Sequence, residues 1–339
     1  MGKFHDSLNL LSSFRLKRIK NALLILFSFY YSRLLKKPRP LGLPVSISFE
    51  PTTSCNLRCP ECPSGLRSFT RPTGMLDTRL FENVINQMKD HLAYLTFYFQ
   101  GEPYLHPDFL SMVRLAKAHK IYTATSTNAH YLNEENAKKT VESGLSRLII
   151  SIDGTTQDTY QSYRVGGRLT KVLEGTKNII KWKKELKSPT PHVIFQFLVV
   201  KHNEHQIGEI HALARELGVD EVRLKTAQIY DYENGSSLMP DNPRYSRYYK
   251  DASGKYKIKN SLDDGCWKMW HSCVITWDGK VVPCCFDKDA HHQLGTLQNQ
   301  TFKDVWFGTP YNSFREQLFK SRSQIEMCKN CTEGTKVWA

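Results

Sequence analysis

The sequence has no apolar run of the ~20 residues that a membrane-crossing helix needs. The nearest approach, residues 21–32 (NALLILFSFYYS), is short of that length and is followed by Arg33-Leu-Leu-Lys-Lys-Pro. No small-residue cleavage site follows it, so a secretory signal peptide is not expected. Acidic residues are almost missing from the first 40 positions. There Asp6 stands alone against Lys3, Arg15, Lys17, Arg18, Lys20, Arg33, Lys36, Lys37 and Arg39. This stretch carries +8 of the formal +14, which leaves +6 for the remaining 299 residues. The basic character is therefore local, and no nucleic-acid partner is expected. No internal repeat stands out. The nine cysteines are odd in number and clustered, which excludes an ordinary disulfide framework and favours ligation in a reducing cytoplasm.

What is present is an ordinary globular composition, 40% apolar and 24% charged over 339 residues. That length allows one large domain and a small one. The basic N-terminal segment, 1–42, has an apolar centre with basic flanks. Two readings are open for it: peripheral contact of residues 14–37 with an anionic membrane face, or a helix packed on its own protein with a solvated basic face.

From residue 45 to about 225, strand and helix patterns alternate. Strands are expected at 45–50, 94–99, 121–126, 147–152, 193–200 and 221–225. Asp77 is placed to cap a helix bearing Leu80, Phe81, Val84, Ile85 and Met88 on one face, and Gly218 to end another. Six strands alternating with helices predict a parallel sheet. Residues 232–265 are polar, without clear periodicity, and read as a linker; a cysteine-bearing region, 266–339, follows.

Polar clusters follow the predicted strands. Cys55-Asn-Leu-Arg-Cys59-Pro-Glu-Cys62 follows the first and Gln100-Gly101-Glu102-Pro103 the second. Ser126-Thr127-Asn128 ends the third and Ser151-Ile152-Asp153-Gly154 the fourth. Carboxyl ends of parallel strands form the active face of such sheets, so four clusters in succession point at one cavity. Three thiolates at this spacing can share one metal centre and leave a coordination position open, where a structural zinc site would be closed by a fourth ligand.

The Cys-x3-Cys-x2-Cys triplet after a strand, with Gly-Glu-Pro after the next, resembles the radical S-adenosylmethionine (SAM) enzymes. The resemblance implies a partial (β/α)6 TIM-like barrel, the radical SAM core, over 43–231. It implies that Cys55, Cys59 and Cys62 hold a [4Fe–4S] cluster whose fourth iron takes SAM, and that a reductant protein such as flavodoxin or ferredoxin supplies electrons. Gly101, Glu102 and Pro103 match a motif that faces the methionine amino group. Ser151 resembles a ribose-binding residue, Arg164 one that pairs with the methionine carboxylate, and Asn128 lies in a loop that lines the same site. The family often has Gly at the position of Gln100 and an aromatic residue at that of Glu61.

The C-terminal cysteines are Cys266, Cys273, Cys284, Cys285, Cys328 and Cys331. Asp278-Gly279 is a hairpin signal that would bring Cys266 and Cys284 together, and Cys328-x2-Cys331 supplies a second pair. Such a four-thiolate site suits zinc or an iron–sulfur cluster. The arrangement resembles the SPASM/twitch extension of radical SAM enzymes, which implies a second, auxiliary [4Fe–4S] cluster on Cys266, Cys284, Cys328 and Cys331. Cys273 and Cys285 are left over, as buried thiols or as a replacement ligand. The function so implied is a radical SAM oxidoreductase in the cytoplasm, acting on a carbohydrate or lipid-linked glycan precursor. A peptide-modifying maturase and a non-catalytic iron–sulfur module are the alternatives. Residues 1–44 are too short for the peptide-binding domain that often precedes the barrel in maturases. No acid or base is singled out among His106, His130, His202, His205 and His271.

Overall fold

The computed structural model describes residues 2–332. Six strands form its centre: β1 (Ser46–Phe49), β2 (Tyr94–Thr96), β3 (Tyr122–Thr127), β4 (Arg147–Ser151), β5 (His192–Val199) and β6 (Glu221–Thr226). Each pairs in parallel with the next, so chain order and sheet order agree. This is the expected partial barrel, with helices connecting successive parallel strands. The helix Thr78–Met88 starts at Asp77, whose carboxylate accepts from Arg79 N at 2.7 Å. Its Leu80, Phe81, Val84, Ile85 and Met88 are all buried. Each such side chain contributes ~2 kcal/mol by leaving water. The helix Ile207–Leu217 ends at Gly218, left-handed at φ 77°.

Chain ends extend the sheet. β9 (Ser272–Ile275) pairs in parallel with β1, placing Cys273 opposite Ile47. The Asp278-Gly279 turn then returns β10 (Lys280–Val282) antiparallel to β9, and β11 (Gly295–Thr296) pairs with β10. The C-terminal region thus shares the sheet and core of the barrel. Buried Arg315 fixes it from within: its guanidinium donates to the carbonyls of Met269 and Trp306 and lies 4.0 Å from the Tyr311 ring. Residues 333–339 of the expected C-terminal domain lie outside the described residues.

The segment expected as a linker, 232–265, is built. It contains a hairpin of β7 (Tyr248–Lys250) and β8 (Tyr256–Ile258), turned at Gly254. Leu238, Met239 and Tyr248 join Leu57, Cys59, Tyr163, Val200 and Ile229 in a second apolar cluster. Its tyrosines carry the burial that the absence of Leu/Ile/Val periodicity concealed, Tyr232 and Tyr248 stacking at 4.8 Å.

The N-terminal segment folds as two helices, α1 (Gly2–Ser12) and α2 (Leu16–Leu35). Asp6 of α1 accepts from Tyr122 and Arg147 at the starts of β3 and β4, and Lys3 meets Glu221 at the start of β6, 3.3 Å away. α1 therefore closes the amino ends of the strands. The single amphipathic helix anticipated here is corrected: the face that α2 buries is largely polar, and its solvent face is apolar. Arg18, buried, donates to the carbonyls of Ser13, Lys89, His119 and Lys120, which lie at the C-terminal ends of three helices.

Burial alone would raise the pKa of Glu221, but hydrogen bonds from Arg223 and His192 outweigh it and bring it from 4.5 down to about 2. A depressed carboxylate stabilises the fold above its unfolded pKa, and that contribution fades as pH falls through the folded value. Glu221→Gln is therefore expected to lower the thermal midpoint at neutral pH. The gap to wild type should narrow between about pH 4.5 and pH 2, as calorimetry across that range would register.

Candidate cofactor site

The carboxyl ends of β1 to β5 surround a cavity of about 230 Å3. Cys55, Cys59 and Cys62 line it, together with Gly101, Glu102, Asn128, Ser151 and Arg164. Eight of the nine residues predicted for this end of the sheet thus share one space. The ninth, Pro103, is buried as the first residue of the short 3-10 helix Pro103–Leu105.

Local chemistry explains the placement. Gly101 has φ 75°, and a Cβ there would stand 2.1 Å from the Thr52 carbonyl oxygen. Only glycine lets the β2 loop lie against the loop carrying the cysteines. Its amide donates to Ser64 Oγ at 2.9 Å. Glu102 accepts from Asn128 N at 2.8 Å and Thr127 Oγ1 at 2.7 Å, joining the ends of β2 and β3. Complete burial pushes its carboxyl up to about 7, against the lowering effect of these bonds. Asn128 Nδ2 donates to Asn56 Oδ1 at 2.7 Å, and Ser151 Oγ lies 3.3 Å from Ser126 Oγ.

Arg164 Nε donates to Asp153 Oδ2 at 2.5 Å, and its Nη1 approaches Cys59 Sγ at 3.7 Å. Asp153 is buried and aims this guanidinium at the cysteines. Its other oxygen accepts from Leu198 N at 2.7 Å. Burial would lower the Arg164 pKa, but Asp153 and Cys59 more than reverse that, so it stays cationic. Burial pushes the Cys55 thiol up to about 11 and raises Cys59 also. A bound metal reverses that order, since coordinated thiols lose their protons.

Sequence reasoning missed Gln196, which also lines the cavity. The signal was available: it is the single polar residue in the strand run VIFQFLVV. Glu61, which stands where an aromatic residue was expected, turns away and accepts from Tyr230 N at 3.1 Å. His106 and His130 are held in backbone contacts, to Leu76 O and Asn128 O.

The short helix Pro63–Leu66 divides this cavity from a larger one of about 550 Å3. Tyr230, Phe286, Asp287, Lys288 and His292 line the larger space, with Glu326, Met327, Lys329 and Asn330 from the segment of the C-terminal cysteine pair. Burial lowers the Lys288 pKa, and its ammonium lies 4.7 Å from the Tyr230 ring. Asp289 accepts from Thr70 N at 3.0 Å, and Arg71 pairs with buried Glu50 at 2.5 Å. The triplet's loop is thereby clamped to the C-terminal region.

In that region Cys328 and Cys331 are buried, and Cys266 and Cys284 are partly so. Cys328 lies within electrostatic reach of Cys331 and Cys266, and Cys284 within that of Cys266. Arg322 Nη2 donates to Cys331 Sγ at 3.3 Å. Cys273 is in the sheet core, and Cys285 is exposed with Lys268 Nζ at 3.7 Å, so only one of the two leftover cysteines is a buried thiol. Among the described residues, no three His, Cys, Asp or Glu side chains converge as tightly as a single ion requires. Thiolates on separate corners of a cluster need no such convergence.

A family model of the radical SAM superfamily matches residues 49–214, and one of the SPASM iron–sulfur cluster-binding domain matches residues 266–332. The tungsten-containing aldehyde ferredoxin oxidoreductase cofactor-modifying protein of Pyrococcus furiosus is 26% identical over 296 residues, covering 78% of this chain and 82% of that protein. The PqqA peptide cyclase of Gluconobacter oxydans is 25% identical over 316 residues, covering 87% and 84%. The structure of Streptococcus suis SuiB bound to S-adenosylmethionine shares the fold, with a TM-score of 0.64 at 15% identity over 88% of this chain and 74% of SuiB.

Proposed function

The chain belongs to the radical SAM superfamily and carries a C-terminal SPASM domain, and we propose that it modifies a polar substrate held between two iron–sulfur sites. Cys55, Cys59 and Cys62 are the proposed ligands of the SAM-binding cluster. Cys266, Cys284, Cys328 and Cys331 are those of the auxiliary one. The observation that carries this reading is the cavity that collects three thiols without a fourth and sets a carboxylate and a guanidinium opposite them. Soft thiolates suit an iron–sulfur centre, and a fork-shaped guanidinium suits a carboxylate.

When bound, the reduced cluster and SAM supply a 5′-deoxyadenosyl radical that takes a hydrogen atom from carbon, and the auxiliary cluster supplies an electron acceptor. The chain's residues position these groups. Gly101 admits the cofactor's methionine end close to the backbone. Glu102, fixed by Thr127 and Asn128, presents acceptor oxygen to its amino group. Arg164, aimed by Asp153, faces its carboxylate, and Ser151 faces its ribose. Lys288, whose charged form burial disfavours, lines the larger cavity where the substrate would lie.

Modification of a peptide or of a protein's cofactor is favoured by the two relatives, whose names state such roles. Two-electron oxidation of a carbohydrate or lipid-linked glycan precursor is the second reading, favoured by the Asp, Lys and His lining of the larger cavity. Either reading takes a flavodoxin- or ferredoxin-type electron donor. It also places the chain in the cytoplasm, with residues 14–37 in peripheral contact with a membrane.

Anaerobic reconstitution should give on the order of eight irons per chain, for two four-iron clusters. Adding SAM and a reductant should then release 5′-deoxyadenosine. Full iron loading with no release, in the presence of either substrate class, would remove the enzyme reading.

A further inference from the structure

Helices in globular proteins turn their apolar stripe inward. α2 does the reverse. Its buried face consists of Arg18, Asn21, Ile25, Ser28, Phe29 and Ser32. Leu16, Leu23, Phe27, Tyr30 and Leu34 lie on the opposite side and are 60–80% exposed. Of the 22 exposed large apolar side chains among the described residues, 14 fall in the first 41 positions, among them Phe4, Leu8 and Leu11 along α1. Single exposed apolar residues need no explanation, but a continuous patch marks a surface that meets something.

The orientation is fixed by specific bonds. Asn21 exchanges two hydrogen bonds with Leu43, at 2.6 and 2.9 Å. Ser32 Oγ accepts from Arg39 N at 2.8 Å, and Arg18 is held by four carbonyl groups. Phe29 packs edge-on against Trp267 and Trp270 at 5.2 and 5.3 Å. Rotating α2 to hide its leucines would break all of these. The patch also lies apart from both cavities, with α1 at the amino ends of the strands and the SAM-type cavity at their carboxyl ends.

Charge selects the occupant. Arg15, Lys17, Lys20, Arg33, Lys36 and Lys37 are exposed around the patch, and the only acid in the first 40 residues, Asp6, is buried. A second copy would bring a like-charged rim against this one. Lysine and arginine at the rim of an apolar face suit a bilayer whose headgroups are anionic, where the stems lie along the acyl boundary and the heads reach phosphate. No helix among the described residues is long and apolar enough to cross a membrane.

We propose that the outer faces of α1 and α2 form a docking surface for an anionic phospholipid bilayer, with α2 lying in the interface plane. This rests on the peripheral-contact reading above and gives it a face and a lipid chemistry. It does not depend on the radical chemistry.

The test is flotation of the full chain, loaded with its clusters, on phosphatidylcholine vesicles with and without phosphatidylglycerol. At least roughly tenfold more protein should float with the anionic vesicles, and the excess should fall with added salt. Leu23→Glu/Phe27→Glu/Leu34→Glu should reduce flotation at least roughly tenfold while leaving thermal unfolding and SAM cleavage unchanged, since the replaced side chains face solvent. Lys20→Glu/Lys36→Glu/Lys37→Glu should remove the preference for anionic lipid. No flotation with either vesicle overturns membrane contact itself. Equal flotation with both overturns the lipid chemistry and leaves contact standing. A dimer in light scattering that the apolar triple variant splits, without flotation, would make the face a self-interface and end the proposal.

Discussion

Cys62→Ala is expected to abolish 5′-deoxyadenosine formation in the reconstituted protein. The loss should exceed the roughly 10–100-fold that follows removal of a group merely supporting a metal ligand. Iron content should fall by about half, because each of two sites would hold about four irons. The backbone at Cys62 donates to Cys59 O at 3.3 Å and caps the helix Pro63–Leu66. Neither feature uses the sulfur, so the variant should fold and its loop should stay in place. Cys273→Ala is the matched control. That thiol is buried in β9 opposite Ile47 and lines neither cavity, so its removal creates a small cavity and costs about 1 kcal/mol. It should melt earlier and still cleave SAM. Cleavage by Cys62→Ala at the wild-type rate would dismiss the triplet as the cofactor's seat.

The six core strands were legible because each is a short run carrying β-branched or aromatic residues between helical patterns, and the polar clusters stand out at the ends of four of them. β2 stops at Thr96, three residues before the end of its apolar run, because the chain there bends toward Gly101. The pairing of β9 with β1 was not legible. It joins residues more than 220 positions apart, and nothing local records such a partner. Asp153 was seen, but not its grip on Arg164, for an ion pair between a strand end and a following helix depends on how the helix is packed. In 232–265, stacked tyrosines supply the burial that pattern reading seeks in aliphatic periodicity. The N-terminal segment is the opposite case. Periodicity in α2 is real, but it says only that two faces differ. Arg18, Asn21 and Ser32 decide which face is buried, because backbone carbonyls meet the first two and the Arg39 amide meets the third, and nothing comparable meets the leucines.

Cys328→Ala should separate the two cysteine sites. SAM cleavage should persist while substrate product is lost, and iron should again fall by about half. The guanidinium of Arg322 lies within electrostatic reach of Cys266, Cys328 and Cys331; burial would lower its pKa, yet the cysteines raise it. A cation so placed favours thiolates, the form that binds a cluster. Because β9 and β10 join this region to β1, loss of a ligand here removes a cross-link at the sheet edge but not the sheet itself. The core around Trp270, Trp306 and Arg315 holds it independently of metal. The thermal midpoint should therefore drop without loss of cooperative unfolding. Zinc in place of iron, with product formation unchanged by Cys328→Ala, would make the site a structural staple. In that case the electron acceptor would have to be sought outside the chain.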